Sequence, residues 1–242
     1  MKFGLGVPIM NLYPPTLQPW EETATTEDIV RIVQKAEELG FDYLSVSDHI
    51  FMDTAMAKLM GGRWCEGVTT ITFIAGATKR IQVYNSVLVL PYRDPVILAK
   101  QMSTLDFLSG GRAILGIGIG HLEKEFEVLK VSRPERGLIT DEYLEAIKVL
   151  WTEDRPEFAG KYVQFEDIVF EPRPVAKPHP PIWVGGNTKP AMRRAAKYGD
   201  GWVPWQITPN ELPSALEYLK NQPAFADNPR QFDVVMPAFF IQ

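Results

Sequence analysis

Apolar residues along this chain recur in two alternating rhythms, short β-branched runs and longer stretches of helical spacing. Phe3 to Pro8 predicts a first strand. Thr25 and Thr26 offer caps for a helix whose apolar face is Ile29, Val33, Ala36 and Leu39, and Gly40 stands where such a helix stops. Asp42 to Ser47 predicts a second strand, and residues 69 to 78 a short helix. Residues 81 to 90 (IQVYNSVLVL) form a nearly continuous apolar run, the composition of a buried parallel strand. Asp94 and Pro95 open a helix that ends near Ser109, Gly110 and Gly111. Arg112 to Gly118 predicts a fourth strand, followed by helices over 122 to 130 and 140 to 151.

The rhythm then breaks. Residues 155 to 171 suggest an inserted hairpin around Gly160, and residues 172 to 181 are a proline-rich connector. Alternation resumes with a strand over 181 to 185, a helix over 188 to 198, a strand over 201 to 204, a helix over 209 to 220 and a last strand from Phe232 to Phe239. Seven strand candidates with helices between them fit either a closed barrel or an open doubly wound sheet. An open dinucleotide-binding sheet should carry G-x-G-x-x-G after its first strand. Met10, Asn11 and a proline-rich loop stand there instead. The predicted fold is therefore α/β, a TIM-type (β/α)8-like barrel forming one domain over 1–242, with an inserted hairpin near 155–171.

Composition narrows the function classes. The chain has 242 residues, 45% of them hydrophobic and 23% charged, which is ordinary for a globular protein. A net charge of -5 with no clustered basic run argues against nucleic acid as a partner. Cys65 is the single cysteine, so no intrachain disulfide forms and a reducing compartment fits. The N-terminal MKFGLGVPIM has no signal-peptide pattern and no run reaches membrane-spanning length. A cytoplasmic protein acting on a small molecule, with neither membrane nor nucleic acid as partner, is the expectation.

A barrel carries its chemistry at the C-terminal ends of its strands. Asp48 and His49 fall after the second strand, where a histidine can move protons near neutral pH and the adjacent carboxylate can orient it; a capping Asp beside a structural His is the alternative. Gly116, Gly118 and Gly120 form a G-x-G-x-G series that suits either close backbone approach to a ligand or tight packing into a turn. Gly185, Gly186, Asn187, Thr188 and Lys189 resemble a phosphate-gripping turn at a helix N-terminus, with a plain capped loop as the alternative. Trp20, Trp64, Trp202 and Trp205 lie in or beside the same loops and suit a planar ligand or loop packing. His49, His121 and His179 have no metal-ligand spacing, so no metal site is expected. Neither G-x-S-x-G nor a P-loop occurs.

Together, Ser47-Asp48-His49, the segment 85–120 (NSVLVLPYRDPVILAKQMSTLDFLSGGRAILGIGIG), ERGLITDEYLEAIKVLW (135–151) and PIWVGGNTKPAMRRAAKYGDGW (181–202) resemble the luciferase-like monooxygenase superfamily. Within it, the SDH triplet and the ERG…DEYLEA segment are closer to the branch that depends on the deazaflavin coenzyme F420. The resemblance implies hydride transfer between F420 and a small organic substrate. It also implies a non-proline cis peptide at Ser86-Val87 supporting the ring, and a site drawn from Asn85, Ser86, Val87, Gly118, Gly120, His121 and the Gly185 to Lys189 turn. Asp48 and His49 match residues near the ring in deazaflavin sugar-phosphate dehydrogenases. His121 stands where those enzymes have a glutamate, so their substrate does not carry over. An FMN-dependent monooxygenase using oxygen is the alternative, and a non-catalytic flavin-binding protein is an alternative of another class. The resemblance also implies a barrel that continues past the seventh strand, so here the barrel is incomplete at the C-terminus, covered by a partner subunit, or rearranged around the insertion; a homodimer covering open strand edges is expected.

Overall fold

The computed structural model describes residues 1–226 and 232–236. In chain order its elements are β1 (Gly4–Gly6), α1 (Thr26–Glu38), β2 (Tyr43–Val46), α2 (Thr54–Met60), α3 (Gly67–Ala77), β3 (Gln82–Asn85), β4 (Leu88–Val89), α4 (Pro95–Ser109) and β5 (Ala113–Gly118). There follow α5 (Glu123–Val128), α6 (Arg136–Thr152), β6 (Phe158–Ala159), β7 (Gln164–Phe165), β8 (Ile182–Gly185), α7 (Lys189–Tyr198), β9 (Gly201–Val203), α8 (Leu212–Lys220), α9 (Pro223–Ala226) and β10 (Asp233–Val234).

All pairings in the main sheet are parallel, in the order β1-β2-β3-β5-β8-β9-β10, with β4 beside β5 as a continuation of β3. This is the expected α/β barrel architecture, with β1 and β10 as its two edges among the described residues. The sheet curls far enough that Lys2, ahead of β1, feels Asp233 on β10. Its ammonium is held above the ordinary range chiefly by the Tyr43 hydroxyl and also by that carboxylate. The predicted last strand is seen only as Asp233–Val234; the part from 237 onward lies outside the described residues. The inserted hairpin forms where expected, as β6 paired antiparallel with β7.

Local chemistry accounts for the element ends. Thr25 caps α1 by accepting from the Asp28 N–H, Asp94 accepts from Val96 and Ile97 at the start of α4, and Gly110 (φ 72°) ends α4 in the left-handed conformation. Val33 and Ala36 of α1 are buried, whereas Leu39 is exposed because the helix has already ended at Glu38. The long apolar run over 81 to 90 is two strands rather than one, interrupted at Ser86 and Val87.

Strand alternation divides the side chains between two cores. Leu44, Val46, Val83, Leu115, Ile117, Ile182, Val184 and Trp202 face the helices and join their apolar faces. The concave side holds a separate cluster, Tyr43, Tyr84, Ile114, Trp183 and Val203. Its three large rings meet edge to face at centroid distances of 4.8 to 6.3 Å and plug the floor of the barrel. Toward the strand ends the inward residues become small, Ser45, Ser47, Ser86, Gly116, Gly118 and Gly185, so the barrel opens at that end.

Candidate active site

His49 leaves β2 at the open end of the barrel. Its Nδ1 lies 3.1 Å from Oε2 of Glu125, on the first turns of α5 just after the β5 glycines. The two side chains are 9% and 1% exposed. The other carboxylate oxygen of Glu125 accepts from the Ile50 N–H at 2.8 Å, and the Tyr92 hydroxyl donates to Oε2 at 3.3 Å. Burial pushes the Glu125 carboxyl up, but the hydrogen bonds from His49, Ile50 and Phe51 outweigh it and hold the group below its ordinary value. Tyr92 is held far above the ordinary phenol range by burial and by the charge of Glu125.

Two more rings complete this corner. Trp64 meets the His49 imidazole edge to face at 4.7 Å, and His121 does so at 5.7 Å. Crowding out of water, and then the neighbouring His49, lower the His121 pKa from its ordinary 6.5. Of the tryptophans expected near the site, only Trp64 is brought to His49. Trp202 packs beneath the helices with its indole N–H on the Gly186 carbonyl at 2.7 Å, and Trp20 and Trp205 are exposed.

Asp48 is not the partner of His49. Consecutive residues at a strand exit point to opposite sides, and Asp48 turns outward under α3. Its fully buried carboxylate receives both Arg93 guanidinium nitrogens at 2.7 and 2.9 Å, the Gly67 N–H at 3.0 Å and the Val89 N–H at 3.2 Å. Arg93 also bonds Glu66 at 2.7 Å, and Glu66 caps α3 through the Thr69 N–H. Burial works against the Arg93 charge, but the two carboxylates more than offset it. The expectation that the adjacent carboxylate orients His49 is corrected accordingly: Glu125, 76 residues away, does so.

The Ser86-Val87 peptide is cis, at the place the resemblance implied. Val87 enters the barrel mouth. A Cβ on Gly118 would lie 2.7 Å from Val87 Cγ2, and one on Gly185 would lie 3.0 Å from Cγ1. Gly116 leaves room for the Asn85 carbonyl, and Gly120 (φ 75°) for Val89, Tyr92 and Phe126. The strand glycines thus have a packing reason, accommodation of the β3–β4 interruption. Asn85 points away from the mouth. It is fully buried against Gly67 and beside Asp48, with neither amide atom hydrogen bonded. Ser86 and Val87 are only partly buried and line the opening.

Across the mouth, the turn after β8 is open to solvent. Gly186 has φ 108°, Thr188 caps α7 through the Ala191 N–H, and the exposed Lys189 ammonium stands 5.5 Å from the Tyr218 ring centre. Asn187 is tied to the Trp205 backbone, donating to its carbonyl and accepting from its N–H. His179, the third histidine, is buried beside Trp151 and takes no part in this cluster. Glu125 was not legible in the sequence. The only signal was a glutamate in the helix after the glycine series, flanked by Glu123 and Glu127, and spacing alone does not distinguish the three.

A family model described as luciferase-like monooxygenase matches residues 1–242. The FMNH(2)-dependent dimethylsulfone monooxygenase of Pseudomonas putida is 30% identical over 181 residues, covering 74% of this chain and 47% of that protein. The F420-dependent glucose-6-phosphate dehydrogenase of Amycolatopsis mediterranei is 31% identical over 180 residues, covering 73% of this chain and 52% of that protein. The chain therefore spans about half the length of these two relatives. Monooxygenase RslO1 from Streptomyces bottropensis superposes with a TM-score of 0.80 at 26% identity, over 98% of this chain and 70% of that one.

Proposed function

The chain belongs to the luciferase-like monooxygenase family, and from that premise we propose that it is an oxidoreductase that transfers hydride between the deazaflavin F420 and a small organic substrate. The observation that carries this reading is the His49 imidazole at the barrel mouth, anchored through Nδ1 with Nε2 free of any protein partner among the described residues. A deazaflavin supplies a ring carbon that accepts or returns a hydride. With a deazaflavin held there to take up the hydride, His49 Nε2 would accept the O–H proton of an alcohol substrate as it becomes a carbonyl.

The residues present fit such a group in two places. The partly buried Ser86-Val87 edge gives a ring a surface to rest on. The open Gly186 to Lys189 turn, with Thr188 at the N-terminus of α7 and Lys189 and Arg193 exposed, suits an anionic tail. His121, edge to face with His49, would line the substrate side as a hydrogen-bonding group. Gly118 and Gly120, packed against Val87 and Val89, would leave room for the group beside that edge.

A second reading, an FMN-dependent monooxygenase, is favoured by the similarity to two monooxygenases. The deciding experiment is a side-by-side titration of the purified protein with F420 and with FMN. Selective F420 binding with Kd in the micromolar range or below supports hydride transfer. Selective FMN binding moves the reading to oxygen chemistry. Binding of neither overturns the cofactor assignment and the site built on it.

A further inference from the structure

His49 is one of two titratable rings at the barrel mouth, and its two nitrogens are in unlike surroundings. Nδ1 faces the Glu125 carboxylate at 3.1 Å. Nε2 has no hydrogen-bond partner among the described residues and is not sealed from solvent. Every other contact of the Glu125 carboxylate is with a donor. The Ile50 N–H approaches Oε1, and the Tyr92 hydroxyl approaches Oε2, its phenol kept protonated by the buried charge beside it. A carboxyl proton on Oε1 would face a backbone N–H that can only donate. The carboxylate is thus an acceptor on both oxygens, and a neutral imidazole has only one N–H to give.

We infer that Glu125 is a positioning residue: it fixes His49 in the Nδ1–H form and so turns the bare Nε2 lone pair toward the ligand site. The proton-transfer role of His49 rests on the proposed function, but the choice of tautomer does not. Glu125 acts through His49 and never touches the reacting atoms. The opposite tautomer would set the Nδ1 lone pair against a carboxylate and direct an N–H at the substrate, unable to accept its proton. Trp64, edge to face with the imidazole at 4.7 Å, limits the ring to the orientation that Glu125 selects.

The test is the ring 15N spectrum of the ligand-free protein, in which only His49, His121 and His179 contribute. At pH 8 the wild-type His49 signals are expected to show a protonated Nδ1 and a bare Nε2. A proton on Nε2 overturns the inference without any variant. In Glu125→Ala the His49 proton is expected to redistribute toward Nε2, while His179, which lies beside Trp151 outside this cluster, keeps its spectrum. An unchanged His49 spectrum in the folded variant also overturns it. If Glu125→Ala does not fold, the wild-type spectrum at pH 8 decides by itself. The second arm is kinetic. Glu125→Ala is expected to lower turnover by about 10²-fold, but to have almost no effect when added to His49→Ala. Full additivity would show that Glu125 acts independently of His49. If no cofactor supports turnover, the functional reading falls while the 15N arm still decides the tautomer.

Discussion

The floor and the mouth of this barrel both hold carboxylates by hydrogen bonds, yet use them in opposite ways. At the floor each carboxylate grips backbone N–H groups. Glu37 takes those of Lys79, Arg80 and Ile81, Asp42 that of Phe3, Asp106 that of Ala176 and Asp200 that of Ile182. These bonds join one βα unit to the next beneath the Tyr43, Tyr84 and Trp183 plug. At the mouth, Glu125 grips a titratable ring, and Asp48 an arginine. A backbone N–H cannot change its charge or its proton, so the floor is a fastening. An imidazole can do both, so the mouth holds in place a group able to move a proton. Asp48 crosses the division: it sits at the mouth but is built like the floor, with two backbone N–H groups and a permanent cation.

The contrast breaks most sharply at His49. His49→Ala is expected to cut turnover by roughly 10²- to 10⁴-fold, with cofactor Kd almost unchanged. Equal loss of affinity and turnover would make His49 a binding group instead. Asp48→Ala should behave as a floor mutation despite its position. It leaves Arg93 buried with Glu66 alone, and a loss of about 3–5 kcal/mol in unfolding free energy is expected. A loss below about 1 kcal/mol would show that Glu66 suffices to compensate Arg93.

A smaller effect is expected at the glycine wall. Gly118→Ala places a methyl 2.7 Å from Val87 Cγ2, at a cost of about 1–3 kcal/mol. In a Val87→Ala background that cost should largely vanish, measured as a double-mutant cycle of unfolding free energies. Persistence of the full cost would mean that Gly118 answers to the backbone and not to Val87.

The smallest effect expected is Glu37→Gln, about 0.5–1.5 kcal/mol at pH 7, with no change in cofactor affinity. Burial alone would raise the Glu37 carboxyl, but the Arg80, Ile81 and Lys79 N–H groups bring it below its ordinary 4.5. A group lowered in the fold stabilises above its unfolded pKa and stops doing so as pH falls through the folded one. The gap between wild type and variant should therefore be full near pH 6 and close below pH 4.5. A gap that holds constant to pH 3 would show that the charge of Glu37 is not what stabilises the turn.

The barrel was legible because period alone separates strand from helix, and Asp94, Thr25, Gly40 and Gly110 mark ends by local chemistry that needs no neighbours. The break at Ser86 and Val87 was not legible from the residues' own pattern, since IQVYNSVLVL alternates no differently on either side; only the family resemblance located it. His49 was legible from its position at a strand exit. Its partner was not: adjacency along the chain points to Asp48, whereas a pleated strand sends neighbours to opposite faces.

Hydrophobic period, caps and turn residues are properties of a few consecutive side chains. From them the sequence by itself determined the strand–helix alternation, the parallel sheet and the end of the barrel at which polar residues gather. Which carboxylate meets which cation or ring was decided by the tertiary structure alone. The curl of the sheet brings the exit of β2 against the first turns of α5, and closure of that distance depends on packing across the whole barrel, which no local spacing encodes.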